Sequence, residues 1–440
     1  MLFRSDALDG QGKVAALDKA AIHREVEAMA TRGLRVLAFV RRHVDADHAQ
    51  LEHSHVAAGL TFLGLQGMID PPRPEAIDAV RKCQDAGIAV KMITGDHLIT
   101  ARAIAGQIGL KGREEHGKLL ALAGGELEKI SDQDLPDVAE HTTVFARVAP
   151  DQKLRLVRAL QSRGHVVAMT GDGVNDAPAL KQADIGVAMG VAGTDVAKSA
   201  AAMVLTDDNF ASIEAAVEEG RGVFDNLTKF IVWTLPTNAG AALILLSAVV
   251  LGSTLPALPV QLLWVNMTTA ILLGLTLVFE PKEPGLMQRP PRDPRKPLLT
   301  LTLALRTGLV SLVMLAGAYW LFFWEMRVAD ETIAQARTSV INVIVLVEAA
   351  YLFNCRSLNH SVFSVGFFSN PWLIVGAFTM LAAQLLFTYT PVMNTLFHTA
   401  PISGESWLRI AGVAVIVFVL VEFEKWMRYG HGRGDHAVPE

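Results

Sequence analysis

Long apolar segments fill the second half of the sequence, and they constrain the fold more than any other feature. Past Thr228 these segments follow one another with short polar stretches between them, and most approach the roughly 20 residues that a helix needs to cross a bilayer. Six buried helices of a soluble core are the alternative, but such a core needs far fewer uncharged residues. We therefore predict six membrane spans, near Leu227–Leu251, Val260–Phe279, Leu301–Trp324, Ser339–Phe353, Trp372–Tyr389 and Leu408–Phe423.

The charges between these segments predict their orientation. Residues 282–296 include five basic side chains, and more follow the last span, whereas residues 252–259 carry no charge. Short cytoplasmic loops are enriched in Lys and Arg. We therefore expect a multi-pass protein, most simply in the plasma (inner) membrane, whose soluble half, 282–296 loop and C-terminus lie in the cytoplasm.

The first half of the sequence has the pattern of a soluble α/β domain. Short apolar segments alternate with helical stretches such as Pro74–Ala86 and Asp151–Ser162, which is typical of a Rossmann-type parallel sheet. The fold class predicted for the chain is therefore such an α/β domain followed by an α-helical six-span bundle. The predicted strands are Leu60–Ile69, Ala89–Ile93, His165–Met169, Ile185–Met189 and Ala202–Leu205.

Two of these strands are followed by the sequence Thr-Gly-Asp, at residues 94–96 and 170–172. Ligands of parallel sheets bind beyond the carboxyl ends of the strands, where glycines allow backbone N–H groups to approach a phosphate. Asp172 and Asp176 supply the hard oxygen ligands that Mg²⁺ prefers, and Lys153 supplies a positive charge for a phosphoryl oxygen. A single Gly-Asp pair is more often a turn. Two such loops with Lys153 indicate a phosphate and magnesium site.

Composition excludes some other classes. The net charge is -5, and no basic tract is interleaved with aromatic residues, so we expect no nucleic-acid partner. The two cysteines, Cys83 and Cys355, lie in very different segments, which makes a structural disulfide improbable.

Several longer strings make the sequence similar to a known family. It resembles the P-type ATPases, which are ion pumps that form a phospho-aspartate within a haloacid-dehalogenase-like domain. The resemblance covers almost the whole chain, and the string from Thr170 to Leu180 is nearly diagnostic. The other matching strings are Gly33 to Leu37, Met92 to Asp96, Phe145 to Val148, Asp207 to Phe210, Glu218 to Arg221, Gln261 to Asn266 and Glu280-Pro281.

The resemblance implies roles for individual residues and a division into domains. The cofactors would be ATP and Mg²⁺, and the chain would couple ATP hydrolysis to cation transport. Residues 1–57 would be the end of a nucleotide-binding domain, 58–222 part of the phosphorylation domain, 223–428 the membrane domain and 429–440 a cytoplasmic tail. Asp172 would bind Mg²⁺ with Asn175 and Asp176, the phosphoryl group would contact Thr94, Gly95 and Lys153, and the nucleotide would contact Arg35, Asp96 and Arg147.

One departure from the family concerns the phosphorylated aspartate. The family motif Asp-Lys-Thr-Gly-Thr is absent, and the nearest string is Asp18-Lys19-Ala20. Because this carboxylate is the nucleophile of the covalent step, we expect a C-terminal fragment that is inactive alone and needs an N-terminal half as a partner. The alternative is a non-catalytic membrane remnant or partner-binding subunit.

A second departure concerns the transported ion. Calcium pumps of this family offer a carboxylate from each of the first two spans, whereas the aligned positions here are Ala241 and Ala270. Because neutral oxygens and one carboxylate compensate a divalent ion poorly, we hypothesise a monovalent or otherwise atypical cation. The remaining oxygen ligands on these spans and on the fourth would be Asn238, Asn266, Thr268, Thr269 and Glu348.

Overall fold

The computed structural model describes residues 5–8, 13–43, 59–358 and 360–429. Residues 1–4, 9–12 and 44–57 of the segment assigned to a nucleotide-binding domain, residue 58 of the next predicted domain, and all but Tyr429 of the tail 429–440 lie outside the described residues. The chain forms two compact units. The first is Met1–Val217 with Met287–Pro291, and the second is Glu218–Leu286 with Arg292–Glu440.

The first unit alternates strands and helices. Its strands are β1 Ser5–Leu8, β2 Val14–Ala16, β3 Arg35–Arg41, β4 Leu60–Met68, β5 Met92–Thr94, β6 Glu114–Glu115, β7 Lys118–Leu119, β8 Ala121–Ala123, β9 Val144–Ala146, β10 Ala168–Gly171, β11 Ile185–Met189 and β12 Met203–Leu205. Its helices are α1 Lys19–Thr31, α2 Pro74–Asp85, α3 Leu98–Gln107, α4 Gly124–Leu127, α5 Leu135–His141, α6 Pro150–Ser162, α7 Ala177–Gln182 and α8 Asp195–Ala200, with a 3₁₀ turn at Val174–Asp176.

Two three-stranded parallel sheets form the centre of this unit, in the orders β5-β9-β8 and β10-β11-β12. The parallel α/β prediction is thus confirmed, although strands β5 and β10 begin about three residues later than expected. Each begins where its neighbour starts, since Met92 pairs with Val144 and Ala168 pairs with Ile185. Ile93 packs against both adjoining apolar clusters, one around Phe145 and one around Met169.

The strand at Leu60–Met68 does not belong to these parallel sheets, which corrects the prediction. It joins a separate four-stranded sheet of order β2-β1-β4-β3, where it runs antiparallel to β3 and parallel to β1. An apolar strand pattern reports that one face is buried, but it does not say which partner supplies the hydrogen bonds. The pairing of β4 with Arg35–Arg41 is decided by tertiary contacts and not by the local sequence.

Among its described residues, the second unit contains six helices long and apolar enough to cross a membrane, as predicted. They are α9 Phe210–Val250 (whose turns up to Val217 belong to the first unit), α10 Pro259–Leu272 with a 3₁₀ extension to Phe279, α11 Leu301–Arg327, α12 Ile333–Cys355, α14 Pro371–Tyr389 and α16 Gly404–Tyr429. The shorter elements of this unit are α13 Val362–Val365 and α15 Pro391–Phe397; a 3₁₀ turn, Leu286–Gln288, begins at the last residue of the segment Glu218–Leu286 and continues into the part assigned to the first unit.

The fourth span is longer than its apolar run. It begins six residues before the predicted start because Thr332 and Gln335 form a capping box. The backbone N–H of Gln335 donates to Thr332 Oγ1 at 3.3 Å, and the backbone N–H of Thr332 donates to Gln335 Oε1 at 2.9 Å. The helix is also the most enclosed of the six, since 78% of an apolar 18-residue stretch of it is buried inside the protein. It therefore forms the centre of the bundle.

Candidate functional site

Asp176 organises the loop that follows strand β10. One carboxylate oxygen accepts a hydrogen bond from Lys153 Nζ at 2.5 Å. The other accepts from the backbone N–H groups of Gly173 at 3.1 Å and Asp172 at 3.3 Å. The Asp176 side chain is only 8% exposed. Both of its oxygens are therefore engaged in bracing the loop.

Gly171 allows this close packing. A Cβ atom at this position would lie 2.5 Å from the Cβ of Asp176, which is closer than two side chains can approach. Glycine is thus required here by lack of space, because the loop must pass directly against the Asp176 side chain.

Replacing Gly171 with alanine is expected to open this loop. The new methyl group would impose roughly 1–3 kcal/mol of strain, so the affinity for Mn²⁺, a spectroscopic substitute for Mg²⁺, should fall about tenfold. Electron paramagnetic resonance of free Mn²⁺ measures this affinity in the purified chain. Gly106→Ala is the control, since nothing lies within 4 Å of a Cβ there; equal losses in both variants would contradict the steric explanation.

Asp172 presents its carboxylate differently. The residue is exposed, and its backbone carbonyl accepts hydrogen bonds from Thr194 N at 2.8 Å and Thr194 Oγ1 at 3.2 Å. Within the described chain, its carboxylate makes no hydrogen bond. The carboxylate of Asp172 is thus available as a ligand for Mg²⁺, while Asn175 is exposed on the adjoining 3₁₀ turn. This donor set fits a Mg²⁺ ion that keeps several waters.

The loop after β5 is held by its own side chains. Thr94 Oγ1 donates to Asp96 Oδ2 at 3.0 Å and accepts from the Asp96 N–H at 3.1 Å. Gly95 is exposed, with open space where a Cβ would stand. In the part of the chain that the structure describes, the side chains of Thr94 and Asp96 bond only within this turn.

The two predicted nucleotide-contacting arginines lie in different places. Arg147 follows β9 with a left-handed φ of 52°, and its neighbour Val148 donates its N–H to the Thr94 carbonyl at 3.4 Å. Arg147 is therefore next to the Thr94 loop. Arg35 instead begins β3 in the four-stranded sheet, where its side chain is exposed.

Gln152 supports the lysine of this site, and sequence reasoning missed it. Its Oε1 accepts from the Ala149 N–H at 3.0 Å, and its Nε2 donates to the Gly124 carbonyl at 2.9 Å. These bonds fix the first turn of α6, which carries Lys153. The Ala-Pro-Asp-Gln sequence, with Pro at the first helical position and Gln at the third, was a readable helix-start signal.

The string Asp207-Asp208-Asn209 closes a neighbouring loop. Asp208 has a left-handed φ of 49°, and its carboxylate accepts from the N–H groups of Val191 at 3.0 Å and Ala192 at 2.7 Å. These backbone hydrogen bonds hold the pKa of Asp208 below its usual range. The string therefore has a structural role in anchoring the turn after β11.

The second unit contains a cavity of about 550 Å³, which is lined by most of the predicted transport residues. Asn238, Asn266, Thr269 and Glu348 all line it. Thr268 is not among its lining residues, and its hydroxyl donates to the Trp264 carbonyl of its own helix at 2.7 Å. The other lining residues are Trp233, Thr234, Thr237, Ala241, Ala242, Leu245, Pro259, Leu262, Leu263 and Ala270.

Glu348 is the carboxylate of this cavity. It is 2% exposed, and its Oε2 has no hydrogen-bond partner among the described residues. The side chains of Asn238 and Asn266 are exposed, and Thr269 is buried beside them. Ala241 and Ala270 line the same cavity and contribute only methyl groups. A buried carboxylate with an unpartnered oxygen, facing amide and hydroxyl groups, can bind a cation.

The parallel sheets have Thr-Gly-Asp loops at their strand ends, and the same chain has helices apolar enough to cross a membrane and a cavity lined by Glu348. These features together define a class of phosphate-handling membrane proteins. Two family comparisons agree with this class. Residues 10–184 match the family described as haloacid dehalogenase-like hydrolase, and residues 254–427 match the family described as cation transporting ATPase, C-terminus. A second haloacid dehalogenase-like match covers residues 154–217.

Curated relatives are similar over nearly all of this chain. A probable cation-transporting ATPase F of Mycobacterium bovis is 54% identical over 414 residues, which are 94% of this chain and 46% of that protein. A cation-transporting ATPase of Synechocystis is 48% identical over 90% of this chain and 44% of its own length. A calcium-transporting ATPase of Bacillus subtilis is 40% identical, again over 90% of this chain and 44% of its own length.

By sequence and fold, the chain belongs to the P-type ATPases of the cation-transporting, calcium-pump-like kind. It spans about half the length of the curated relatives it matches.

Proposed function

We propose that the chain is the magnesium-binding and cation-binding part of an ATP-driven cation pump. The observation that carries this proposal is the cavity lined by Glu348, Asn238 and Asn266, in which one oxygen of the buried Glu348 carboxylate has no hydrogen-bond partner among the described residues. The relatives named cation-transporting ATPases support the same function. The pump acts together with a region that supplies the phosphorylated aspartate, which is absent from these 440 residues.

The first unit handles phosphate in this proposal. Asp172 would ligate Mg²⁺ with Asn175 beside it, Asp176 keeps their loop in place, and Lys153 provides positive charge at the phosphoryl group. Thr94 and Gly95 offer hydroxyl and backbone donors to the same group, while Asp96, Arg147 and Arg35 contact ATP. When bound, Mg²⁺ would neutralise charge on the transferred phosphoryl group.

The transported ion is a monovalent cation. A divalent ion in a low-dielectric cavity needs more than one carboxylate to offset its lost hydration. Glu348 is the carboxylate among the lining residues, and Ala241 and Ala270 also line the cavity. By the family resemblance, these alanines occupy the two positions at which calcium pumps carry acids. Amide and hydroxyl oxygens with one negative charge balance a single positive charge.

The basic loop 282–296 lies on the cytoplasmic side in this proposal, as do the phosphate site and the C-terminus. The membrane in this proposal is the plasma (inner) membrane. Trypsin digestion of sealed inverted vesicles tests the orientation, since cleavage within 282–296 is expected only when the cytoplasmic face points outward.

Introducing acids at the two alanines is expected to change the ion preference. The double variant Ala241→Glu/Ala270→Asp should bind Ca²⁺ at least tenfold more tightly than the unsubstituted chain, because two added charges compensate a divalent ion. Binding of radioactive Na⁺, Rb⁺ and Ca²⁺ to the chain in lipid nanodiscs measures this directly. Ala242→Ser, at the same cavity but uncharged, is the control.

Two outcomes would contradict the proposal. Tight Ca²⁺ binding by the unsubstituted chain would exclude monovalent selectivity. Absence of binding for all three ions would favour the alternative of a non-catalytic, partner-binding protein.

A further inference from the structure

A tyrosine from helix α12 replaces the hydrogen bond that a proline removes from helix α9. Pro236 has no N–H, so the carbonyl of Val232, four residues earlier, loses its helical partner. The hydroxyl of Tyr351 donates to this carbonyl at 3.2 Å, and Tyr351 is 0% exposed. Because an unsatisfied carbonyl is costly inside a membrane, this bond stabilises the proline-containing turn.

A second hydrogen bond joins the same two turns in the opposite direction. The indole Nε1 of Trp233 donates to the backbone carbonyl of Glu348 at 2.9 Å. Trp233 is adjacent to Val232, and Tyr351 is about one helical turn from Glu348. The donor of one bond therefore lies on α9 and the donor of the other on α12. Trp233 also lines the cavity beside Glu348.

Helix α11 holds the proline turn from another side. Ser311 Oγ donates to the Pro236 carbonyl at 2.8 Å, and Ser311 is buried. Met314 Sδ would lie 2.7 Å from a Cβ on Gly240, so α9 and α11 approach closely just beyond the proline. The turn is thus fixed by side chains of two helices, and only α12 also carries Glu348.

We propose that Tyr351 and Trp233 are positioning residues for the cation site. They hold the proline turn of α9 against the turn of α12 that carries Glu348, so that Asn238 and the Glu348 carboxylate face one cavity. A helix bends readily at a proline, and a binding site loses affinity when its ligands shift by about an ångström. This inference rests on the proposed function, in which that cavity binds a cation.

Tyr351→Phe tests the tyrosine because it removes the hydroxyl and keeps the ring. We expect binding of radioactive Na⁺ and Rb⁺ in nanodiscs to weaken about tenfold, which corresponds to the loss of one hydrogen bond. Tyr319→Phe is the matched control. The Tyr319 hydroxyl also donates to a carbonyl of α9, that of Ile244 at 3.3 Å, but away from the proline, so binding should change less than twofold.

A rescue experiment separates positioning from a general loss of packing. Pro236→Ala restores the N–H that the Val232 carbonyl lacks. Tyr351→Phe should therefore weaken binding much less in the Pro236→Ala background than in the unsubstituted chain. Equal weakening in both backgrounds would show that the hydroxyl does not act through Val232, and would overturn the proposal.

Hydrogen exchange distinguishes failure of this inference from failure of the proposed function. If the unsubstituted chain binds Na⁺ and Rb⁺ while Tyr351→Phe leaves both affinities unchanged, the positioning role is wrong and the pump proposal stands. If the unsubstituted chain binds neither ion, the proposed function fails and the positioning role with it. In that case amide exchange at residues 229–243 would still be informative. Exchange that is faster in Tyr351→Phe and returns to its original rate when Pro236→Ala is added would show that Tyr351 stabilises the proline turn without any role in cation binding.

Discussion

Replacing Glu348 with glutamine is expected to abolish cation binding at the membrane cavity. The substitution keeps the shape of the side chain and removes the carboxylate, the group whose negative charge would balance a bound cation. A unit charge about 4 Å from a cation contributes about 4 kcal/mol at an effective dielectric constant near 20. The dissociation constants for Na⁺ and Rb⁺ should therefore rise about 100- to 1,000-fold.

The control for this prediction is Glu405→Gln. The side chain of Glu405 is 79% exposed and pairs with Arg409 on the same helix face, so its loss should leave binding unchanged. Equal binding by the Glu348→Gln variant and the unsubstituted chain would place the cation elsewhere. That result would remove the main support for the proposed function.

Replacing Arg356 with methionine is expected to destabilise the second unit by about 3–5 kcal/mol, because it leaves a buried carboxylate unpaired. Arg356 and Glu280 have side chains that are 0% and 1% exposed. Arg356 Nε and Nη2 donate to Glu280 Oε1 at 2.9 and 2.8 Å, and Asn370 Nδ2 donates to Glu280 Oε2 at 2.8 Å.

The same guanidinium group also anchors the segment before helix α14. It donates to the carbonyls of Gly366 at 3.0 Å and Phe367 at 2.7 Å, and to Ser369 Oγ at 2.5 Å. Methionine fills the volume but replaces none of these donors. Loss of the segment's anchorage therefore adds to the cost of the unpaired Glu280.

Denaturation in mild detergent, followed by tryptophan fluorescence, measures this loss of stability. The double variant Arg356→Met/Glu280→Gln should recover a substantial part of it, since the amide carries no charge. Lys282→Met is the control, because Lys282 pairs with Glu218 and Glu219 at the surface, where ion pairs contribute little. Equal destabilisation by Lys282→Met, or no recovery in the double variant, would show that burial of the charge is not the cause.

The class of the chain was predictable because its signals are local. The number of spans follows from the length of the apolar segments. Five of the six predicted segments lie entirely within the observed helices, and Leu227–Leu251 extends one residue past the end of α9. The Thr-Gly-Asp loops follow strands because glycine and aspartate end regular structure directly. The string from Thr170 to Leu180 resembles the P-type ATPases over consecutive residues, so it is recognisable without knowledge of the fold.

The fourth span shows how a local signal gives a partial answer. Its predicted apolar run begins at Ser339 because Thr338 and Gln335 interrupt the pattern. These polar residues do not end the helix. Thr338 is buried and donates to the Ala334 carbonyl at 2.7 Å, and Gln335 completes the cap. In the central helix of a bundle, neighbouring helices rather than lipid surround the polar side chains.

The roles of individual site residues were less predictable, because they depend on partners far away in the sequence. Asp172 and Asp176 look equivalent in the sequence as magnesium ligands. In the structure Asp176 is engaged by Lys153 and two backbone N–H groups, whereas Asp172 keeps its carboxylate available. The packing of helix α6 against the loop decides which of the two carboxylates braces the loop and which remains available to a metal ion.

The class of this protein, its six predicted spans and the residue types of both candidate sites can be read from the amino-acid sequence, since these follow from composition over short stretches. Which residues share a cavity, and which carbonyl the Tyr351 hydroxyl satisfies, depend on the packing of the folded chain. This packing also decides that β4 pairs with β3 and that Arg356 neutralises Glu280, which is 76 positions away. Hydrogen bonds and charge pairs between distant segments form where the folded chain removes water, and no local pattern specifies their partners.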